Sequence, residues 1–185
     1  MAVAIPAAVG LAVLARPILT LLFPSLTEYR DLATNLLVYG SSAVVFFALS
    51  TITSAVLQSV NQMRTPVVHG AISLALHVLI LYFLLKYTDL GIYALIIGNV
   101  SFPIVICALN WRSVGIALSY RQEVQKTFVI PLISSAIMGL IAWGVYSLLF
   151  SWTEKNTLSV VIAVVAAVLV YGFVEKLKRQ RRNIQ

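Results

Sequence analysis

A row of polar side chains inside an otherwise apolar stretch is the clearest candidate for chemistry. Ser50, Ser54, Gln58 and Asn61 follow one another at spacings of four, four and three residues, which places them on one face of a helix. In a membrane, such hydroxyl and amide groups either hydrogen-bond to a neighbouring helix or face a water-filled cavity. The spacing therefore predicts an interhelical contact or one wall of a substrate path, and Asn35 adds to the polarity of the same stretch.

An arginine followed by a proline, Arg16-Pro17, interrupts the first apolar stretch. Proline lacks the backbone N–H that a helix interior requires, so we expect a kink there. A guanidinium in a membrane helix is expensive unless it reaches the interface, pairs with another group or faces water. Two interpretations stay open: Arg16 extends to the outer interface, or it faces a cavity and binds an anionic group such as a phosphate.

Two histidines follow in a later apolar stretch. His69, Ser73 and His77 stand at positions i, i+4 and i+8, and we expect His77 near the middle of the bilayer. An imidazole there either relays protons or senses pH, or it is a neutral ring hydrogen-bonded to an adjacent helix. Two histidines without a carboxylate nearby do not make a metal site, so the sequence predicts neither a metal nor another cofactor.

The motifs of enzymes are missing from the sequence. It contains no glycine-rich phosphate loop, no HExxH, no nucleophile elbow and no pair of carboxylates within an apolar stretch. All of its Asp and Glu residues lie in predicted loops or at helix ends, so acid–base or metal catalysis inside a membrane would lack the groups that it needs. We therefore predict no catalytic residue.

The composition places these residues in a lipid bilayer. Hydrophobic residues make up 61% of the chain and charged residues 10%, and the mean hydropathy is +0.97, whereas soluble domains are about a quarter charged. A helix of about 20 apolar residues spans a bilayer. The sequence predicts an all-α, polytopic membrane helix bundle with six transmembrane helices, at residues 2–23, 32–60, 66–85, 91–111, 128–150 and 158–174.

The basic residues lie between these stretches and in the C-terminal tail, so the net charge of +7 indicates topology rather than nucleic-acid binding. Arg30, Lys86 and Lys155 fall on one side of the membrane. The opposite side receives a larger set, comprising Arg64, Arg112, Arg121, Lys126, Lys176, Lys178, Arg179, Arg181 and Arg182. By the positive-inside rule, both ends of the segment are expected in the cytoplasm. Because no polar or basic segment precedes the first apolar stretch, we expect the chain to be a piece of a longer protein.

Three stretches resemble those of a known transporter family. Residues 6–23 follow the pattern P-A-A-x-G-L-x-x-L-A-x-P-I-x-x-L-L-F, residues 57–66 follow L-Q-S-x-x-Q-x-x-T-P, and residues 89–95 read D-L-G-I-Y-A-L. In this order they resemble the C-terminal half of the polysaccharide biosynthesis and stage V sporulation protein B-like transporters. These belong to the multidrug/oligosaccharidyl-lipid/polysaccharide exporter superfamily, which includes lipid II flippases. The resemblance covers essentially the whole chain.

That resemblance implies a fourteen-helix transporter, with two bundles of six helices around a central cavity and two appended helices. Residues 1–111 would be the last four helices of the second bundle, and residues 112–126 a cytoplasmic amphipathic linker. Residues 127–174 would be the two appended helices, and residues 175–185 a basic cytoplasmic tail. Several cationic residues that contact substrate in lipid II flippases would lie in helices that precede this segment.

The implied function is movement of a lipid-linked saccharide of the polyprenyl pyrophosphate type across a bacterial plasma membrane, by alternating access, in cell-envelope or spore-wall synthesis. The implied partners are this substrate, membrane lipids and the preceding half of the same transporter. The candidate residues on the substrate path are Arg16, Asn35, Ser50, Ser54, Gln58, Asn61 and His77. A multidrug exporter of the same superfamily and a non-transporting membrane scaffold are alternatives, and the lack of acids within the predicted spans favours the flippase over the drug exporter.

Overall fold

The computed structural model describes residues 1–25, 27–118, 125–153 and 155–182, and all of its elements are helical. Among these residues, five helices are long and apolar enough to cross a membrane, and a bent pair of shorter helices makes a sixth span if it is counted as one. The predicted all-α bundle of apolar helices is therefore confirmed. The elements are α1 (Ala4–Val13), α2 (Ala15–Leu22), α3 (Arg30–Ser59), α4 (Arg64–Tyr87), α5 (Ile92–Leu118), a π-helical turn (Gln125–Val129), α6 (Ile130–Thr153) and α7 (Asn156–Arg182).

Helices α5 and α7 run furthest past the ends of the predicted spans, whereas the other long helices agree with them to within three residues at each end. Helix α5 continues past Trp111 to Leu118, so the first part of the predicted linker is helical. Helix α7 continues to Arg182, so the described part of the basic tail is helical too. The tail contains no Gly or Pro and is rich in Lys, Arg, Gln and Glu, which favour helix, so nothing in its sequence ends α7 at the edge of the apolar stretch. Residues 119–124 and 183–185 lie outside the described residues.

The first predicted span is broken, with an angle of 74° between α1 and α2. Leu14 lies between the two helices and caps both: its N–H donates to Gly10 O (3.0 Å) and its carbonyl accepts from Ile18 N–H (2.9 Å). Pro17 has no N–H to donate to the carbonyl four residues earlier, which is that of Val13. The expected kink is therefore present, and it lies at Leu14 rather than at Pro17 because the missing hydrogen bond is on the N-terminal side of the proline.

The chain divides into two compact units, and α3 contributes to both. The first unit takes residues 39–123, which include most of α3 together with α4 and α5. The second unit takes residues 2–38 and 124–185, which include α1, α2, the start of α3, α6 and α7. The predicted division at residues 111, 126 and 174 is a different kind of boundary, based on family resemblance, and stays a prediction.

The second unit has an apolar core built around small residues. Leu14 packs there with Met138 and Ala142 of α6 and with Ala163 and Ala167 of α7, and all five side chains are buried. Alanines at these positions let helices approach closely, which is the main way that membrane helices gain packing contacts.

Candidate functional site

Asn110 of α5 is the centre of a buried polar cluster in the first unit. Its amide Nδ2 donates to Ser54 Oγ (2.8 Å) and to the backbone oxygen of Ser50 (3.4 Å), both on α3. Its Oδ1 accepts a hydrogen bond from Nδ1 of His69 on α4 (2.7 Å). Asn110 is fully buried. One amide therefore joins three helices, and we call Ser50, Ser54, His69 and Asn110 the polar node.

The node satisfies the hydrogen-bonding capacity of the Asn110 amide in apolar surroundings. An unsatisfied polar group in the hydrocarbon region costs several kcal/mol, so the partners on α3 and α4 are what make a buried amide tolerable there. Because Oδ1 only accepts, the hydrogen of the His69 ring must be on Nδ1. The buried Ser73 hydroxyl donates to the backbone oxygen of His69, one turn earlier in α4 (2.7 Å).

His77 makes a second contact between α4 and α5. Its Nδ1 donates to the backbone oxygen of Gly98 (2.7 Å), and its ring meets Phe102 edge to face at 6.2 Å between centroids. Two interpretations of His77 followed from the sequence, a proton relay or pH sensor and a ring hydrogen-bonded to an adjacent helix. The structure shows the interhelical hydrogen bond. Helices α4 and α5 approach each other closely here, because a Cβ atom at Gly98 would lie 2.5 Å from Leu81 Cδ2.

Replacing His77 by leucine is expected to lower the free energy of unfolding by about 1 kcal/mol, because the interhelical hydrogen bond to the Gly98 carbonyl is lost and that carbonyl keeps only the Ser101 hydroxyl of its own helix as a side-chain donor (2.6 Å). His77→Asn can place an amide N–H near the position of Nδ1, so it should retain most of that stability. Unfolding of the protein in lipid bicelles would measure both. Equal losses in the two variants would show that ring packing on Phe102, rather than the hydrogen bond, is what His77 contributes.

The structure brings together only some of the residues singled out from the sequence. Ser50 and Ser54 meet Asn110 in the node, whereas Gln58 is exposed on the next turn of α3. Asn61 follows the end of α3 as an exposed residue with a positive φ of 63°, a backbone conformation in which asparagine is more common than most residues. Their place on a substrate path stays a prediction.

Two further candidates lie in the second unit. Arg16, in the first turn of α2, forms an ion pair with Asp31 of α3, with Nη2 and Oδ1 3.3 Å apart. Both side chains are mostly exposed, so the pair contributes little stability, about 0–1 kcal/mol. Asn35 lies one turn further along α3 and is exposed.

Asn110 and Asn156 were not singled out from the sequence. Asn156 begins α7; its Nδ2 donates to Pro17 O (3.0 Å) and its Oδ1 accepts from the Tyr146 hydroxyl (2.9 Å). Each is a single amide at or near the end of an apolar stretch, where a polar residue is commonplace. One feature of the sequence could have pointed to Asn110. The row of polar side chains on α3 needs a polar partner on another helix, and Asn110 is an amide within another predicted span.

An open apolar groove of about 530 Å³ runs along the second unit. It is lined by side chains of α1, α2, α6, α7 and the residues just before α1, among them Val3, Leu11, Met138, Val164 and Val168. In the described part of the chain, no three or more His, Cys, Asp or Glu side chains come together as a metal site would require. The groups that the fold gathers are therefore amides, hydroxyls and imidazoles in the node, and hydrocarbon side chains in the groove.

Comparison with known proteins gives one informative similarity. No family model matches the sequence, and no solved structure matches it. The chain is 28% identical to the lipid II flippase MurJ of Bacillus subtilis (strain 168) over an alignment of 192 residues, which covers 96% of this chain and 35% of the relative. The chain thus spans about a third of the length of the curated relative that it matches. Along nearly its whole length it is similar to a lipid II flippase, which confirms the resemblance predicted from its sequence.

Proposed function

We propose that the chain is the C-terminal part of a flippase that moves a lipid-linked oligosaccharide or polysaccharide across a bacterial plasma membrane. The observation that carries this proposal is the similarity to a lipid II flippase over 96% of the chain. The substrate would be a saccharide on a polyprenyl pyrophosphate, as in lipid II, and transport would proceed by alternating access during cell-envelope or spore-wall synthesis. The partners would be membrane lipids and the preceding half of the same transporter.

The proposed topology follows from the distribution of charge. Residues 1–111 would complete the second bundle, residues 127–174 would form the two appended helices, and residues 112–126 and 175–185 would lie in the cytoplasm. Arg64 and Arg112 are exposed at the start of α4 and in the last part of α5. Because α4 and α5 run antiparallel, these two residues lie at the same end of the pair, as the positive-inside rule requires of a cytoplasmic face.

Two features of the chain support a lipid-linked substrate. Most of the side chains that line the groove in the second unit are apolar, which suits the polyprenyl part of such a molecule. On α3, Gln58 has an exposed amide in a helix that is otherwise long and apolar enough to cross a membrane. An exposed polar side chain in such a helix faces either a partner helix or water, so we propose Gln58 as a contact for the polar part of the substrate.

Gln58→Leu is expected to slow transport without preventing insertion into the membrane. Loss of one hydrogen bond of about 1 kcal/mol corresponds to a rate about fivefold lower. The assay would reconstitute the full-length protein in proteoliposomes with a fluorescent lipid II analogue and measure its transfer between leaflets. Thr51→Val is the matched control, because Thr51 is an exposed polar residue of α3 whose hydroxyl bonds to its own helix, at Phe47 O (2.8 Å).

The outcomes separate the parts of this proposal. If the unmodified protein does not transfer the lipid II analogue but exports a cationic drug, the multidrug exporter is correct instead. If it transfers neither, the membrane scaffold is favoured. A wild-type rate for Gln58→Leu would remove Gln58 from the substrate path and leave the flippase itself in place.

A further inference from the structure

The bend in the first span is larger than its sequence explains. Pro17 removes one backbone hydrogen bond, and a kink counts as sharp when it exceeds about 20°, whereas α1 and α2 meet at 74°. A break also removes helical hydrogen bonds in a region where unsatisfied backbone groups cost several kcal/mol. Other parts of the protein must therefore hold the two halves at this angle, and the second unit shows which parts these are.

The α1 half packs tightly against α6. A Cβ atom at Gly139 would lie 2.9 Å from Val9 Cγ1 and 3.2 Å from Val13 Cγ2. Only glycine allows the backbone of α6 to come this close to the last turn of α1. The end of α1 is thereby fixed against α6 by shape.

The residue at the break is itself enclosed by α6 and α7. The Leu14 side chain is only 2% exposed, and it packs among Met138, Ala142, Ala163 and Ala167. Ala142 and Ala163 are completely buried. The two helices α6 and α7 therefore form a small apolar socket for Leu14, the residue that separates α1 from α2.

The α2 half is attached by a hydrogen bond at the turn between α6 and α7. Asn156 Nδ2 donates to Pro17 O (3.0 Å), and the Tyr146 hydroxyl donates to Asn156 Oδ1 (2.9 Å). Tyr146 thus fixes which side of the amide faces Pro17. This hydrogen bond is directional, so it sets the orientation of α2 as well as the distance between α2 and α7.

We propose that the α6–α7 hairpin holds the first span in its bent form, with Asn156 as the positioning residue for α2. The hairpin contacts both halves and the break between them: Gly139 contacts α1, the apolar socket encloses Leu14, and Asn156 binds Pro17. The orientation of α2 in turn sets the position of Arg16 and of its ion pair with Asp31. This role concerns the shape of the span and does not depend on which molecule the protein transports.

A spin-label distance across the bend tests this proposal. The labels would be placed at Val3 and Leu22, which are 80% and 63% exposed, in the complete protein in lipid nanodiscs with Cys107 replaced by alanine. With a rise of 1.5 Å per residue, the two backbone positions lie about 23 Å apart across the observed bend and about 28 Å apart in a straight helix. The distance distribution therefore reports the bend without any transport assay.

Asn156→Leu is expected to move the distribution several ångströms towards the longer distance, and Tyr146→Phe is expected to move it less. Pro17→Ala should leave it near the shorter distance, because the hairpin still holds both halves. Thr157→Ala is the matched control, since Thr157 is the exposed neighbour of Asn156, and it should change nothing. If Asn156→Leu is not recovered in membranes, Tyr146→Phe decides alone. Unchanged distances in the Asn156 and Tyr146 variants, or straightening in Pro17→Ala, would overturn the proposal.

Discussion

Replacing Asn110 by leucine is expected to lower the free energy of unfolding of the protein by about 2–3 kcal/mol. Leucine has the same branched shape and the same number of side-chain heavy atoms and is the larger residue, so the change leaves no cavity and its main cost is the lost hydrogen bonds. The change removes the amide bonds to Ser54 Oγ and Ser50 O and leaves the His69 ring without its acceptor. Unfolding in bicelles, followed by steric trapping of the unfolded state, would give the value.

The same helix provides a matched control for this prediction. Asn99 is also an asparagine of α5, but it is exposed, so Asn99→Leu should change the free energy of unfolding by less than about 0.5 kcal/mol. The node also predicts coupling: the loss in His69→Leu/Asn110→Leu should be smaller than the sum of the two single losses by about 1 kcal/mol. Equal losses at Asn110 and Asn99, with additive behaviour at His69, would contradict the node as a stabilising unit.

Gly98→Ala is expected to destabilise the α4–α5 pair by about 1–3 kcal/mol, the usual range for overpacking. The added methyl group would lie 2.5 Å from Leu81 Cδ2 and 2.7 Å from Leu81 Cγ, so more than the flexible end of the leucine must move. Separating the helices would also strain the hydrogen bond from His77 to the carbonyl of the same glycine. The free energy of unfolding in bicelles measures this cost directly.

A compensating change distinguishes overpacking from other effects of the new methyl group. Leu81→Ala clears the space that it would occupy, so Gly98→Ala/Leu81→Ala should lose less stability than the sum of the two single changes. Gly144→Ala is the control, because in the described part of the chain no atom beyond its chain neighbours and its own helix backbone lies within 4 Å of a Cβ atom at that position. Alanine favours helix more than glycine does, so this control should be neutral or slightly stabilising. A loss in Gly144→Ala as large as that in Gly98→Ala would show that the close approach to Leu81 is not the cause.

The sequence predicted the helices well and their contacts only in part. Apolar stretches long enough to span a bilayer are visible without any knowledge of packing, which is why the spans were found. The polar row on α3 predicts side chains that bond to another helix or face a cavity. The Ser54 hydroxyl does bond to another helix, whereas Ser50 contributes its backbone oxygen and its own hydroxyl bonds to Phe47 O within α3. Their partner Asn110 could not be identified, because which face of α5 meets α3 depends on tertiary packing, and no local pattern records it.

The break in the first span shows the same limit. Pro17 predicts that a hydrogen bond is lost, but proline alone sets neither the size of the bend nor its direction. Those depend on Gly139 and Asn156, more than a hundred residues further along the chain. In the sequence Asn156 lies between two predicted spans, and only the fold shows that its amide reaches Pro17.

The two histidines of α4 fix the register of that helix against α5. Both donate to α5 through Nδ1, His69 to the Asn110 side chain and His77 to the Gly98 backbone. Sliding α5 along α4 by one helical turn, about 5.4 Å, would break both hydrogen bonds at once. The pair therefore has one hydrogen-bonded register, which apolar contacts between two smooth helices would not specify by themselves.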